Sequence, residues 1–431
     1  MQRLRVTGGY TLEGETRPGG SKNAALPLLV APLLCDQPCT LHKVPQIRDV
    51  DTIFAVMRAL GVRIEQLDAH SWIIDASSLN SVKAPHELVS QMRASFYVAG
   101  PLIARWHEAE VALPGGCSLG PRPIDFHLQA FQKLGAEVAV DHGYMRAQSK
   151  GLIGAHIELD SRYSSVGTTV NAMMAATLAK GTTTIEYAAR EPEVVETASM
   201  LRAMGAQISG DGTPVLTIEG VEKLHGCEWN VPPDRIETGT LLIAAVATQG
   251  DVVVRDTRAA ELEALLAVLK STGAELRKRN GTISLRMNRR PAAAPDIIRT
   301  APYPGFPTDL QPLVAAMLAT AEGVSTIEET IFTNRFLYVD ELNRMGANIQ
   351  VSSQTAVIRG VPVLSAAPVY GPDLRAGAAL LVAALTAEGC TELSGCEHLE
   401  RGYEDLDRKL VELGACIERV DDRASAEDSS N

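Results

Sequence analysis

Two glycines and a lysine stand before an apolar stretch near the start of the chain, in Gly19-Gly20-Ser21-Lys22-Asn23-Ala24-Ala25-Leu26-Pro27. A helix beginning there would set its positive end beside the Lys22 ammonium, and an anion between them would relieve the repulsion. The spacing is not that of a Walker A loop, and a solvated lysine accounts for the same residues. A second segment, Leu113-Pro114-Gly115-Gly116-Cys117-Ser118-Leu119-Gly120-Pro121-Arg122-Pro123-Ile124-Asp125-Phe126-His127, alternates glycine with proline around one thiol and one guanidinium. Such a loop can move yet return to defined shapes, as a lid does. An exposed thiol beside Arg122 would ionise easily and act as acid or nucleophile, whereas an incidental loop cysteine is the plainer alternative. Arg93, Arg335, Arg375 and Arg401 lie in turn-like contexts, and Arg375 abuts the apolar run Ala376 to Leu385, where a guanidinium needs an anionic partner. Asp373 and Glu404 are local candidates for Arg375 and Arg401. Asp309 follows Pro302, Pro304, Gly305 and Pro307, a constrained presentation that suits a catalytic carboxylate or the cap of a helix starting at Leu310.

The elements that must hold these residues announce themselves by repetition. One phrase recurs six times, about 70 residues apart: Leu60-Gly61-Val62, Leu134-Gly135-Ala136, Met204-Gly205-Ala206, Thr272-Gly273-Ala274, Met345-Gly346-Ala347 and Leu413-Gly414-Ala415. Each follows an amphipathic stretch and precedes alternating residues, which predicts a helix, a glycine C-cap and a strand. Half a unit away, Gly181, Gly250, Gly323 and Gly389 again close an Ala/Leu-rich helix and open a strand. A unit of this kind is βαβαββ. The runs Leu241 to Ala247 and Ala376 to Leu385 are apolar nearly all round, so these helices must be buried from every side, with the sheets outside. Units this long exceed the usual solenoid repeat of about 20–50 residues, and six of them are expected to close into two lobes whose junction holds the ligand.

Composition narrows the partners. The chain has 431 residues, 45% hydrophobic and 21% charged, which excludes disorder as its main theme. Forty Lys+Arg against 52 Asp+Glu give a net charge of −12, so no nucleic-acid partner is expected. The longest apolar run, Ala24 to Cys35, contains Pro27 and Pro32 and falls short of the ~20 residues that cross a bilayer, and the first residues lack the apolar core of a signal peptide. No membrane partner and a cytoplasmic location are therefore expected. Seven cysteines, an odd number, point to reduced thiols. The pairs Cys35/Cys39 and Cys390/Cys396 lack a second ligand cluster, so no metal site is expected.

Taken together, the segments Ser-Lys22-Asn23-Ala-Ala-Leu-Pro, Met-Arg93-Ala-Ser, Leu-Pro-Gly-Gly-Cys117, Gly-Pro-Arg122-Pro-Ile-Asp125, Ala-Arg-Glu-Pro-Glu193, Pro-Asp234-Arg-Ile-Glu-Thr-Gly-Thr, Phe-Pro-Thr-Asp309-Leu-Gln, Asn334-Arg335-Phe, Asp373-Leu-Arg375 and Arg401-Gly-Tyr-Glu closely resemble the UDP-N-acetylglucosamine 1-carboxyvinyltransferase family of the EPSP synthase-like superfamily. The resemblance runs from about residue 3 to 420. It implies an α/β fold, the inside-out α/β barrel pair, with three βαβαββ units in each lobe. One lobe would span residues 22–232 and carry the Cys117 lid, the other residues 1–21 and 233–420, with 421–431 a disordered tail.

The same resemblance implies transfer of the enolpyruvyl group of phosphoenolpyruvate to the 3′-hydroxyl of UDP-N-acetylglucosamine, the step that opens peptidoglycan synthesis. Lys22, Arg122 and Arg401 match the family's phosphate-side cations, and Arg335 and Arg375 those facing the carboxylate. Cys117 matches the thiol that donates a proton, can add covalently to phosphoenolpyruvate and is alkylated by fosfomycin. Asp309 matches the carboxylate that handles the hydroxyl or C3 proton. Lys22 and Asn23 fall among the phosphoenolpyruvate contacts, and Asn23, Arg93, Arg122, Pro123, Ile124, Asp125, Phe126, Asp309 and Ile331 match contacts to the nucleotide sugar. No cofactor or metal is implied, and a monomer is expected. At one place the chain departs from the pattern: Tyr163 stands where some members have lysine, two residues before Ser165-Val166-Gly167, and Arg162 is the nearby cation. The rivals are the related transferase acting on shikimate 3-phosphate, which normally lacks the Pro-Gly-Gly-Cys lid, and a non-catalytic nucleotide-sugar-binding homologue.

Overall fold

The computed structural model describes residues 2–113, 124–162 and 164–421. Within it the six-fold repeat is visible as six four-stranded sheets that share one strand order. In each, an edge strand runs parallel to a second strand, which pairs antiparallel with a third, itself antiparallel to a fourth; in five sheets the last two form a hairpin, and in the sixth they are Gln2–Thr7 and Cys416–Asp421, far apart in sequence. The sheet of His156–Glu158, Thr182–Glu186, Val215–Glu219 and Gln207–Ser209 is typical, with Ile157 beside Ile185 and Ile185 beside Leu216. Burial alternates along its strands: Leu216 and Ile218 point inward while Val215 and Glu219 face solvent.

Each sheet is served by two helices of different character. The helices Lys22–Val30, Ala99–Trp106, Val166–Ala176, Arg235–Ala247, Gln311–Leu318 and Leu374–Thr386 are rich in Ala, Leu and Val and bury almost every residue. The helices Arg48–Ala59, Asp125–Lys133, Pro192–Ala203, Glu263–Ser271, Val339–Arg344 and Leu406–Glu412 bury one stripe and precede the repeated Gly phrase. All six glycines of that phrase have φ between +89° and +106°, the left-handed region that ends a helix at little cost only for glycine. Gly250 differs from Gly181, Gly323 and Gly389: the positive φ falls on Gln249, and a Cβ on Gly250 would meet the Leu12 carbonyl at 2.2 Å. There the glycine answers to close backbone approach.

Two compact units result, one built from residues 20–113, 124–162 and 164–232 and the other from residues 2–19 and 233–421. Each has its own core, the first running from Ala24 to Val231 and the second joining Leu4, Val6 and Leu12 to Ile236 through Ala415. Each unit is closed by strands from distant parts of the chain. Glu228–Asn230 returns to lie parallel to Cys39–His42, whereas Gln2–Thr7 fills the place between Cys390–Ser394 and Cys416–Asp421, and Glu13–Thr16 lies beside Asp251–Val254. The chain passes between units at Gly19–Gly20 and Pro232–Pro233, where Ser21 N donates to Pro232 O at 2.7 Å and Asp234 N to Gly19 O at 2.9 Å.

Candidate functional site

In the unit that carries Lys22, Ser21 caps the Lys22–Val30 helix by accepting from Ala24 N at 3.3 Å, which makes Lys22 the first helical residue. Its ammonium is not solvated. Only 13% of the side chain is exposed, and it pairs at 2.7 Å with Asp49, a buried acid in the first turn of the Arg48–Ala59 helix. Asn23 follows, half-buried.

Arg93 opens the 3-10 turn Arg93–Val98, and Ile124 precedes the Asp125–Lys133 helix, whose first turn holds exposed Asp125, half-buried Phe126 and buried His127. His127 lies against Gly167 at the start of the Val166–Ala176 helix, so the beginnings of two helices meet there. Asn171 fixes the state of that ring. Its carbonyl oxygen accepts from Gly100 N at 2.9 Å, so its amide nitrogen is the donor, giving hydrogen bonds to Phe96 O and to His127 Nδ1, both at 3.1 Å. Nδ1 therefore accepts and the ring proton sits on Nε2. Burial, and then the Arg93 charge, push the His127 pKa down to about 3. Nothing in the sequence set His127 or Asn171 apart from ordinary core polar residues.

In the other unit, Asp309 sits in the turn Thr308–Leu310, and its carboxylate caps neither that turn nor the Gln311–Leu318 helix. Instead it is held between two guanidiniums: Oδ1 accepts from Arg335 Nη2 at 2.9 Å and Oδ2 from Arg375 Nη2 at 3.0 Å. Both arginines are buried, with 2% and 5% of their side chains exposed, and Asp309 is a quarter exposed. Arg335 also grips the Thr308 carbonyl through Nε and Nη2 and lies over the Phe332 ring, while Arg375 lies over the Tyr403 ring at 5.2 Å. Burial alone would lower the Arg375 pKa, but Asp309, Tyr403 and Asp234 outweigh it and raise it above the ordinary arginine value, so the group stays charged. Arg375 Nη1 is buried and has no hydrogen-bond partner among the described residues. A buried guanidinium with a donor to spare is built to take an anionic oxygen.

Asp373 does not pair with the Arg375 side chain. It caps the Leu374–Thr386 helix, accepting from Arg375 N at 2.8 Å and Ala376 N at 3.0 Å. The buried acid Glu329 was also unmarked by sequence, yet it ties two candidate segments together. Its Oε1 accepts from Ile331 N, Phe332 N and the Thr300 hydroxyl, and its Oε2 from the Thr308 hydroxyl, at 2.8–3.0 Å. Ile331 and Asp309 are thus set by one carboxylate. Arg401 ends the 3-10 segment Cys396–Arg401, half-buried.

Cys117, Arg122, Pro123 and Tyr163 lie outside the described residues. Arg162 is exposed and its guanidinium is taken by Asp160, with Nε to Oδ1 at 3.0 Å and Nη2 to Oδ2 at 2.7 Å. Among the described residues no group of His, Cys, Asp or Glu is arranged to hold a metal ion, and no helix is long and apolar enough to cross a membrane.

Comparison with known proteins adds the chemistry. The family model described as EPSP synthase (3-phosphoshikimate 1-carboxyvinyltransferase) matches residues 6–410. A UDP-N-acetylglucosamine 1-carboxyvinyltransferase from Actinobacillus pleuropneumoniae serotype 7 is 49% identical over 421 residues, 97% of this chain and 98% of that one. One from Desulfatibacillum aliphaticivorans is 48% identical over 420 residues, 97% of this chain and all of that one. Among solved structures, the enolpyruvyl transferase NikO from Streptomyces tendae superposes with a TM-score of 0.87 at 24% identity, covering 97% of this chain and 99% of that one. An EPSP synthase from Acinetobacter baumannii gives 0.75 at 18% identity, covering 98% and 100%. Both structures share the α/β fold.

Proposed function

The chain belongs to the EPSP synthase family, and from that premise we propose that it transfers the enolpyruvyl group of phosphoenolpyruvate to the 3′-hydroxyl of UDP-N-acetylglucosamine, releasing phosphate. In this reading the two units are the lobes of an inside-out α/β barrel pair, and the enzyme works in the cytoplasm at the head of peptidoglycan synthesis. The observation that carries it is the Asp309 carboxylate clasped by buried Arg335 and Arg375, with Arg375 Nη1 still able to donate.

The reaction is an addition followed by an elimination. The sugar hydroxyl bonds to C2 of phosphoenolpyruvate while C3 takes a proton; the resulting ketal then breaks its C2–phosphate bond and returns a C3 proton. Charge must be held at both ends of the three-carbon acid throughout. Arg335 and Arg375 take the carboxylate, Lys22, Arg122 and Arg401 take the phosphate, and Asn23 binds the same substrate. Cys117 supplies the proton to C3. Asp309 accepts the proton of the hydroxyl: once the substrate carboxylate competes for the two guanidiniums, their grip on Asp309 loosens and its oxygen is free to act as base. Arg93, Arg122 to Phe126 and Ile331 contact the nucleotide sugar.

Phosphate release, followed with each acceptor in turn, tests the reading. Release should require both phosphoenolpyruvate and UDP-N-acetylglucosamine. Turnover with shikimate 3-phosphate instead would assign the chain to the other branch of the family, and release with neither would exclude catalysis.

A further inference from the structure

Three thiols of the unit that carries Lys22 meet where its two ends are joined. Cys39 opens the strand Cys39–His42, and Cys227 immediately precedes Glu228–Asn230, which runs parallel to it with Thr40 opposite Glu228. Cys39 and Cys227 therefore stand opposite each other, and Thr40 N donates to Cys227 O at 2.9 Å. Adjacent strands lie about 4.8 Å apart, inside the span of about 4.4–6.8 Å that a disulfide bridges between Cα atoms. Among these thiols the sulfurs of Cys35 and Cys39 are hydrogen-bonded at 3.9 Å, and the Cys39 and Cys227 thiols are close enough to shift each other's ionisation.

We propose that Cys39 and Cys227 are a peroxide-oxidisable dithiol that closes to a disulfide and ties the two ends of this unit together. Access and acidity divide the roles. Cys227 is half-buried and can be reached, whereas Cys39 and Cys35 are buried. The neighbouring Cys39 thiol holds the Cys227 thiol below its ordinary pKa, against the effect of burial. The Cys227 thiol and burial push Cys39 up to about 12. Cys227 is thus the sulfur that ionises first. Its thiolate attacks a peroxide oxygen, the O–O bond breaks, and a sulfenic acid and hydroxide form. The Cys39 sulfur then displaces the sulfenic oxygen, which leaves with the Cys39 proton as water. The two thiols together lose two electrons and two protons, and hydrogen peroxide becomes two waters.

Cys390 and Cys416 supply an internal contrast. Both are exposed, but both stand opposite Thr7 from either side, two strand spacings apart, too far to bridge.

The full chain treated with hydrogen peroxide, then alkylated and mapped without reduction, decides the matter. The expected product lacks two hydrogens and contains one linked peptide pair, Cys39 with Cys227, and its melting temperature is higher by several degrees until a dithiol reductant reverses the change, because the bridge closes a very long loop. In Cys39→Ala, Cys227 should stop at a sulfenic acid that a cyclic dione captures, and Cys35→Ala should still give the linked pair. The proposal is overturned if, in the unaltered protein, Cys227 stays a free thiol, passes to sulfinic acid without the linked pair, or leaves Cys35 linked to Cys39.

Discussion

Arg375 is the side chain whose loss should be felt most in the first half of the reaction, because it is the buried cation with a donor left over. Arg375→Gln should lower kcat/KM for phosphoenolpyruvate by roughly 100-fold, about 3 kcal/mol of lost charge stabilisation, and Arg375→Lys should not restore it, since an ammonium cannot serve Asp309 and a substrate oxygen in the guanidinium geometry. A change of less than threefold in steady-state kinetics would remove Arg375 from the site. His127 makes a different statement, about pH. Its folded-state pKa of about 3 lies below the ordinary histidine value of 6.5, so the unfolded chain binds a proton that the folded chain refuses. Its contribution is constant above that ordinary value and becomes destabilising as pH falls toward 3, by about 1.4 kcal/mol per pH unit between the two. The imidazole carbon resonances should accordingly stay neutral, with the proton on Nε2, down to pH 5; titration near pH 6 would contradict the buried Asn171 contact. Partners at this level were the least legible part of the sequence. Arg375 has an aspartate two residues away, yet the helix end claims it, and the true partner is 66 positions distant. Asp49 for Lys22 is concealed in the same way: short-range spacing says nothing of which distant helix turn arrives beside a charge.

Between elements, Glu329 and the repeat glycines do the positioning. Glu329→Ala would leave two backbone donors and two hydroxyls without their acceptor; it should cost about 3 kcal/mol in urea unfolding and lower kcat at least tenfold, while Glu329→Gln, which keeps one acceptor oxygen, should recover most of the stability. Equal effects of the two would show that the carboxylate holds nothing. Gly346 and Gly250 separate the two reasons for glycine. At Gly346, φ is +89° and an added methyl would meet open space, so Gly346→Ala should cost about 1 kcal/mol of backbone strain. At Gly250 the same substitution drives a Cβ to 2.2 Å from a carbonyl and should cost well over 2 kcal/mol in the same denaturation assay. The turn glycines were readable because the rule that favours them is local to one residue. Gly250 looked identical in sequence, and only the path of the chain at Leu12, just before the strand Glu13–Thr16, distinguishes it.

For the molecule as a whole, the unit count was legible because all-round apolar helices admit few arrangements, and six copies reinforce one another. Which strand closes which sheet was not readable from periodicity, since Gln2–Thr7 and Glu228–Asn230 pair with segments from far along the chain. Two separate cores imply that heat need not melt the protein in one step. The calorimetric enthalpy is expected to exceed the van't Hoff value, and equality would mean that the units unfold together. Product analysis in heavy water reads the two proton transfers at C3 themselves. With phosphoenolpyruvate and UDP-N-acetylglucosamine, the nucleotide sugar should gain an enolpyruvyl ether carrying deuterium at its vinyl carbon, the mark of a C3 that was protonated and then deprotonated. A nucleotide sugar recovered unchanged, or an ether free of deuterium, would rule out this addition and elimination.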